Sequence, residues 1–301
     1  MSDIDKILYF TDSHFRLLPP VNRKEKKKEF LKKSFSKFDK VLNIAEEKDV
    51  NSIICGGDFF DNASSSHSLI SKIIKRIRKN TIPFYIVPGN HDIFNGNINT
   101  LYRTALNILL EAGDIKFLDE LEYDNVYFKG KSFTYKGLDS SIKNKKDYNV
   151  LIPHAMITDS KAPFECYVPE DIKTKADLVL CSHYHKPFDI KENNTRFVNP
   201  GSLIRLSSIK MNYERYPQVL IVKFGKQITV KKINFKDFGK GEEIFEKSIN
   251  NEYESNFDSF MEKINNFKQN EGINIETVMK KIADELDTDK EVVQEARRRL
   301  A

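Results

Sequence analysis

The stretch Pro88-Gly89-Asn90-His91-Asp92 restricts what this chain can fold into more than any other part of the sequence. The apolar residues 82–87 before it predict a short buried strand, which the proline and glycine end with a sharp turn. The turn presents an amide, an imidazole and a carboxylate at the carboxyl end of a strand, where open α/β sheets bind ligands. Asn90 can offer a neutral oxygen to a metal ion, and His91 can move a proton near neutral pH. Taken alone, the stretch fits an ordinary strand-to-helix turn equally well.

The same arrangement of an apolar run followed by polar residues recurs at strands predicted at 6–11, 52–55, 150–152 and 178–181. Five of the six histidines directly follow such runs. Amphipathic helices predicted between the first strands complete the alternation that is typical of a layered α/β fold. Because a sheet gathers its strand ends at one edge, we expect eight polar residues to converge. They are Asp12, His14, Asp58, Asn90, His91, His154, His183 and His185.

The later part of the chain changes pattern twice. Residues 126–137 predict a hairpin with its turn at Lys129-Gly130-Lys131, and residues 219–235 predict a second hairpin. After Gly239-Lys240-Gly241, apolar residues recur at three- and four-residue steps, which predicts helices only. We therefore expect a body at residues 1–239 and a C-terminal helical appendage at residues 240–301.

The charge is unevenly distributed between these two parts. The whole chain has a formal charge of +5, but residues 240–301 contain ten basic and fifteen acidic residues. The remaining residues, 1–239, therefore carry 39 basic and 29 acidic side chains. A basic body with an acidic appendage favours a polyanion as the partner of the body, although lysine-rich surfaces also serve solubility.

The composition favours an intracellular, cytoplasmic protein. No apolar run approaches the ~20 residues that a membrane span requires, so we expect no membrane partner. The first residues lack the basic and apolar regions of a signal peptide. The three cysteines, Cys55, Cys166 and Cys181, have no paired spacing.

The residue types at the strand ends narrow the choice of metal. They combine oxygen and imidazole ligands without a thiolate, which disfavours structural zinc and suits manganese, iron or catalytic zinc. Seven candidate ligands are too many for one ion. A carboxylate such as Asp58 could bridge two ions ~3.5–4 Å apart, an arrangement used for displacement at phosphorus. The pattern therefore predicts two divalent metal ions.

Five blocks of sequence, in this order and spacing, resemble the calcineurin-like metallophosphoesterases over residues 6 to about 205. The blocks are Asp12-Ser13-His14, Gly57-Asp58-Phe59-Phe60-Asp61, Gly89-Asn90-His91-Asp92, His154 and Ser182-His183-Tyr184-His185. The resemblance implies an α/β fold of two packed β-sheets flanked by helices.

The resemblance also implies a role for each residue of the blocks. One ion would be held by Asp12, His14, Asp58 and His185, and the other by Asp58, Asn90, His154 and His183. His91 would act on the leaving oxygen as an acid or as a charge stabiliser, with Asp92 setting its orientation. Asp61 would support the ligands or face the substrate.

The flanking residues discriminate within this superfamily. Protein serine/threonine phosphatases continue the second block with Arg-Gly, where this chain has Asn62-Ala63. Residues 197–202, Phe-Val-Asn-Pro-Gly-Ser, resemble the Pro-Gly-Ser segment of SbcD-type DNA exonuclease subunits and phage recombination nucleases. This chain departs from the family at Phe15-Arg16, where a small residue is usual. Its tail also looks too short for both a DNA-capping domain and an ATPase-binding segment.

The resemblance implies a manganese-dependent DNA nuclease, an SbcD-like subunit of a DNA repair or recombination complex. Its partners would be DNA and an SbcC-like coiled-coil SMC-type ATPase, and the sequence leaves open whether the chain forms a homodimer. The alternative is a phosphodiesterase or phosphatase acting on nucleotides or small phosphoesters. A third, non-enzymatic interpretation is a metal-bound scaffold that recruits the ATPase.

Overall fold

Two six-stranded β-sheets form the centre of the computed structural model, which describes residues 3–20, 23–143, 145–162, 165–208, 210–246 and Ala283. The strands are β1 Lys6–Phe10, β2 Ser52–Cys55, β3 Phe84–Ile86, β4 Lys116–Phe117, β5 Glu120–Glu122, β6 Val126–Lys131, β7 Tyr148–Pro153, β8 Leu178–Leu180, β9 Phe188–Glu192, β10 Thr195–Asn199, β11 Gln218–Phe224 and β12 Ile228–Asn234. The α-helices are α1 Lys27–Glu47, α2 His67–Ile77, α3 Ala105–Glu111, α4 Lys210–Tyr213 and α5 Gly241–Ile244. Short 3₁₀ helices lie at Asn90–Asp92, Phe94–Gly96, Ile98–Arg103, Pro169–Asp171 and Lys236–Phe238.

Both sheets are mixed, with parallel strands at their centres. The first sheet has the order β12-β11-β1-β2-β3-β4, in which β1 to β4 run parallel and β11 runs antiparallel to β1. The second has the order β5-β6-β7-β8-β10-β9, with β6, β7, β8 and β10 parallel. The carboxyl ends of the parallel strands therefore meet at one edge of each sheet. The predicted fold of two packed sheets flanked by helices is confirmed.

The strands β1 and β2 of the first sheet are buried on both faces, because their side chains alternate between two hydrophobic layers. Leu8 and Phe10 of β1 point into the layer shared with the helices, where they join Phe38 of α1. Ile7 and Tyr9 point into the layer between the two sheets. A third layer covers the outer face of the second sheet.

The hairpin predicted for residues 126–137, with its turn at Gly130, is not present in the structure. The structure instead has one continuous strand, β6, which pairs with β5 on one side and with β7 on the other. A Cβ atom added at Gly130 would overlap the carbonyl oxygen of Leu118. The glycine is therefore explained by the close approach of another backbone to a strand, and the hairpin prediction is wrong.

Residues 241–246 pack against the body. Ile244 and Phe245 are buried, and the backbone N–H of Lys24 donates to the carbonyl of Ile244 at 2.9 Å. The helices predicted further along the appendage lie outside the described residues, so the division at residue 239 stays a prediction. Within the part of the chain that the structure describes, no helix has the length and apolar character needed to cross a membrane.

Candidate metal centre

The loops that follow β1, β2, β3, β7 and β8 carry all of the predicted ligands to one place. Among the residues that the structure describes, three groups of side chains each offer ligand atoms within 4.8 Å of one another. The groups are Asp12, His14 and His185; His14, Asp58 and His91; and Asp58, His154 and His183. The amide of Asn90 joins the third group, because its Oδ1 atom lies 3.2 Å from Nε2 of His154. The eight residues expected to converge therefore do so.

The first group is built around two facing imidazoles. Nε2 of His14 lies 3.1 Å from Nε2 of His185, and Oδ1 of Asp12 lies 3.5 Å from the same atom of His185. All three atoms are positioned to surround a single cation. Oδ1 of Asp12 is buried and has no hydrogen-bond partner, which is costly for a carboxylate unless a cation satisfies it.

Asp58 joins the first group to the third through one oxygen atom. Its Oδ2 lies 3.7 Å from Nε2 of His14 and 3.3 Å from Nε2 of His154. Its Oδ1 accepts a hydrogen bond of 2.9 Å from the backbone N–H of His91. The amide thus fixes one oxygen and leaves the other between imidazoles of both groups.

The carboxylate of Asp12 is also held by a hydrogen bond from a backbone amide. Its Oδ2 accepts a hydrogen bond of 3.2 Å from the backbone N–H of His183, while its Oδ1 faces His185. Each carboxylate is therefore anchored by an amide from the loop after a different strand. This anchoring fixes the oxygens before any ion binds, which lowers the cost of organising the site.

The backbone around the ligands is strained. Seven described non-glycine residues have a positive φ angle, and four of them are the predicted ligands Asp12, His14, Asp58 and His183. This conformation is costly for residues with a Cβ atom, and such residues concentrate at functional sites. Four of the predicted ligands therefore have a backbone conformation that is typical of functional sites.

Two glycines allow the loops to come this close. A Cβ atom at Gly89 would overlap Oδ1 of Asp58, and one at Gly57 would overlap Nδ1 of His154. Nδ1 of His154 instead lies 2.8 Å from the carbonyl of Gly56, to which it can donate a hydrogen bond. That tautomer leaves the lone pair of Nε2 available to a metal.

Asp92 and Asp61 have different surroundings. The buried carboxylate of Asp92 accepts hydrogen bonds from the backbone N–H groups of Phe59, Phe60 and Gly89, and so ties the loop after β2 to the loop after β3. The carbonyl of Asp61 lies 2.8 Å from Nδ1 of His91. This carbonyl is therefore a contact that orients the imidazole predicted to act on the leaving oxygen.

Burial and neighbouring charges both shift the pKa values of the candidate ligands, and at Asp58 and His154 they act in opposite directions. Burial acts to raise the pKa of Asp58, but the charges of His154 and His91 outweigh it and hold the pKa well below its usual value. Burial lowers the pKa of His183 to about 3, so this imidazole stays neutral. Burial acts to lower the pKa of His154, but the charge of Asp58 raises it to about 9, so a metal ion that binds Nε2 would displace a proton from it.

These features fit a centre for divalent metal ions. The donors are carboxylate oxygens, an amide oxygen and imidazole nitrogens, which suit such ions. A buried carboxylate oxygen without a hydrogen-bond partner, that of Asp12, is explained by a bound cation, and the neutral imidazole of His183 can donate a lone pair to one. Two packed mixed sheets that carry this donor set at the carboxyl ends of their parallel strands suit the binding of a phosphate through metal ions, which is the class of the metal-dependent phosphoesterases.

Comparison with known families agrees with that class. The family model named Calcineurin-like phosphoesterase matches residues 5–187. The chain belongs to the calcineurin-like phosphoesterase family, and the predicted resemblance is confirmed. Among solved structures, the dimetal phosphatase from Danio rerio superposes with a TM-score of 0.50 and 9% sequence identity, over 77% of this chain and 96% of that one. This likeness shows a shared fold.

Two curated relatives are similar to parts of the chain. The DNA double-strand break repair protein Mre11 of Methanosarcina mazei is 23% identical over 218 residues, which cover 68% of this chain and 35% of that protein. The protein of the same name from Saccharolobus solfataricus is 33% identical over 119 residues, covering 38% of this chain and 29% of that protein. The chain spans about a third of the length of the curated relatives it matches.

The structure also places Arg16 and Phe133 against residues of the centre, and Tyr135 against Phe133, which the sequence motifs did not indicate. Nη1 of Arg16 lies 3.1 Å from Oδ2 of Asp61 in an ion pair. The ring of Phe133 lies 5.4 Å from that of His183, and the ring of Tyr135 lies 5.0 Å from that of Phe133. The one sequence signal for Arg16 was that the chain departs from the family pattern at Phe15-Arg16. The hairpin prediction concealed the two aromatic residues, because it assigned them to a strand.

Proposed function

We propose that this chain is a manganese-dependent DNA nuclease that hydrolyses phosphodiester bonds as an SbcD-like subunit of a repair or recombination complex. The observation that best supports hydrolysis is the position of Asp58. Its Oδ2 lies near His14 of the first ligand group and near His154 of the third. A carboxylate in this position could bind both ions of a two-ion centre.

The ligand sets proposed for the two ions follow the first and the third of the groups described above, with Asp58 added to the first and Asn90 to the third. Asp12, His14, Asp58 and His185 would hold one ion, and Asp58, Asn90, His154 and His183 would hold the other. Bound divalent ions supply positive charge to a phosphate and make water a stronger nucleophile at neutral pH. Manganese is our choice because the set combines oxygens with imidazoles and contains no thiolate.

The chain's own part in the reaction is to orient groups and to move a proton. Nδ1 of His91 lies 2.8 Å from the carbonyl of Asp61, so Nε2 is the nitrogen that would exchange a proton with the leaving oxygen. Asp61 would fix that ring through its backbone, and its Oδ1 also lies 3.7 Å from Nδ1 of His14. Asp92 would act on His91 indirectly, by holding the loops after β2 and β3 together through the backbone.

Two observations support DNA as the substrate. Residues 1–239 carry an excess of ten positive charges, which suits a polyanion. The curated relatives described above are named as DNA double-strand break repair proteins. A coiled-coil ATPase of the SbcC type would be the partner of the acidic appendage.

A direct test compares DNA with a small ester. The purified chain is incubated with manganese and with labelled single-stranded DNA, labelled double-stranded DNA or a chromogenic phosphodiester. We expect manganese-dependent DNA cleavage, and a matched Asp58→Asn preparation should lack it. Hydrolysis of the small ester without DNA cleavage would instead favour an enzyme that acts on nucleotides or small phosphoesters.

A further inference from the structure

An aromatic segment lies directly beside the candidate metal centre. Phe133 follows β6, and its ring centroid lies 5.4 Å from that of His183 and 6.4 Å from that of His154. Its backbone N–H donates to the carbonyl of Pro88 at 3.2 Å. The segment is thus joined to the loop that carries Asn90 and His91.

Tyr135 extends this segment outward. Its ring is nearly perpendicular to that of Phe133, with centroids 5.0 Å apart and an interplanar angle of 87°. Gly96, with a φ of +57°, packs against the tyrosine, because a Cβ atom there would lie 2.6 Å from a carbon of its ring. Tyr135 is nevertheless 56% exposed. The ring of Tyr135 thus contacts Phe133, which in turn contacts His183, and it stays more than half exposed.

We infer that Tyr135 is a stacking platform for a nucleobase of the substrate, next to the phosphate that is cleaved. This inference rests on the proposed function and narrows it. A base can stack on Tyr135 only when it is not stacked within a duplex, so the preferred substrate is a single strand or a frayed end. Stacking tolerates every base, because every base has a π-face, and so it adds affinity without sequence preference.

The exposure of the ring makes it accessible to a base, because more than half of the surface of Tyr135 is open to solvent. Its contacts with Phe133 and Gly96 restrict the ring in advance, so a base that binds there loses less entropy. Because Phe133 contacts both Tyr135 and His183, a base stacked on Tyr135 would lie on the side of the centre where His183 is.

The test compares esters with and without a base. The substrates are a single-stranded oligonucleotide, thymidine 5′-(p-nitrophenyl phosphate) and methyl p-nitrophenyl phosphate. For Tyr135→Ala we expect KM to rise by about 5- to 150-fold on the first two substrates, which corresponds to the loss of one stacked base. The kinetics on the methyl ester and the metal content should stay unchanged. Tyr135→Phe should behave like the parent protein, because it keeps the ring.

Tyr102→Ala is the matched control, since Tyr102 is 73% exposed and lies in the segment Ile98–Arg103. Unchanged KM in Tyr135→Ala for the substrates with a base would overturn the inference, as would an equal loss on the methyl ester. A loss in Tyr135→Phe as large as in Tyr135→Ala would assign the effect to the hydroxyl and also overturn stacking. If the parent protein fails to cleave DNA, the proposed nuclease function is wrong, while the thymidine and methyl esters still test the stacking.

Discussion

Nε2 of His14 lies 3.1 Å from Nε2 of His185, although the two residues are 171 positions apart in the chain. Two imidazole nitrogens at this distance share either a proton or a cation. Two ligands of one octahedral ion at about 2.1 Å lie about 3 Å apart, which is close to the observed separation. The unpartnered Oδ1 of Asp12 beside them favours the cation.

A substitution of His91 tests whether metal binding and catalysis depend on different residues. Its ring is oriented by the carbonyl of Asp61, and we propose that it acts on the leaving oxygen without holding an ion. His91→Ala should keep both ions and the affinity for DNA while lowering turnover by roughly 10²–10⁴. Metal content and single-turnover rates measure the two effects separately. Because one nitrogen of His91 also lies within 4.8 Å of ligand atoms of His14 and Asp58, a collapse of the metal content would identify it as a ligand.

A substitution at Gly89 tests how closely the loops after β2 and β3 must approach each other. Gly89→Ala would place a Cβ atom against Oδ1 of Asp58 and displace the shared carboxylate, although Gly89 offers no ligand itself. We expect the variant to lose metal affinity and activity. Gly225→Ala is the matched control, because a Cβ atom added there would have no other atom within 4 Å. If Gly89→Ala binds metal as tightly as the parent protein, the carboxylate does not need its present position.

The polar residues of the centre could be predicted because each directly follows an apolar strand. The end of a strand is a local property of the sequence, and parallel strands bring their ends to one edge. Asp12, His14, Asp58, Asn90 and the later histidines were therefore expected together. The alternation within β1 likewise indicates which side chains face each layer.

The remaining features depend on contacts between distant residues. Gly130 looks like a turn residue, and only the carbonyl of Leu118 shows why a strand needs a glycine there. The positive φ angles of Asp12 and His183 could not be expected, since neither residue type requires one. The contact of Tyr135 with Gly96, at the end of the 3₁₀ helix Phe94–Gly96, likewise joins residues that are distant in the sequence.

Salt dependence tests the contact with DNA. Lys26, Lys27 and Lys28 are exposed at the start of α1. If they bind phosphates, reversing all three to glutamate should flatten the log–log dependence of affinity on salt by about 0.9 for each lost contact. Fluorescence anisotropy with labelled DNA over a range of salt concentrations measures the slope. A slope near zero in the parent protein would contradict DNA binding by the basic body.

Two truncations test the appendage. Ending the chain after Lys240 removes the buried residues Ile244 and Phe245, and the loss of a buried phenylalanine costs about 3–5 kcal/mol, so the melting temperature should fall. Ending it after Glu246 should leave melting and hydrolysis of a chromogenic phosphodiester unchanged but abolish co-purification with a coiled-coil ATPase. A fall in the melting temperature of this longer form, or a retained complex, would contradict a docking role.

The metal content of Asp58→Ala tests the two-ion centre most directly. Asp58 is the one residue that we assign to both ions, so its loss should lower the content from about two ions per chain toward zero. Asp114→Asn is the control, because Asp114 also has a buried carboxylate but pairs with Arg78 and precedes β4, at the opposite edge of the sheet. Plasma emission on dialysed protein should give about two ions for the parent protein and the control, and almost none for Asp58→Ala. An unchanged metal content in Asp58→Ala would contradict the shared carboxylate and the mechanism built on it.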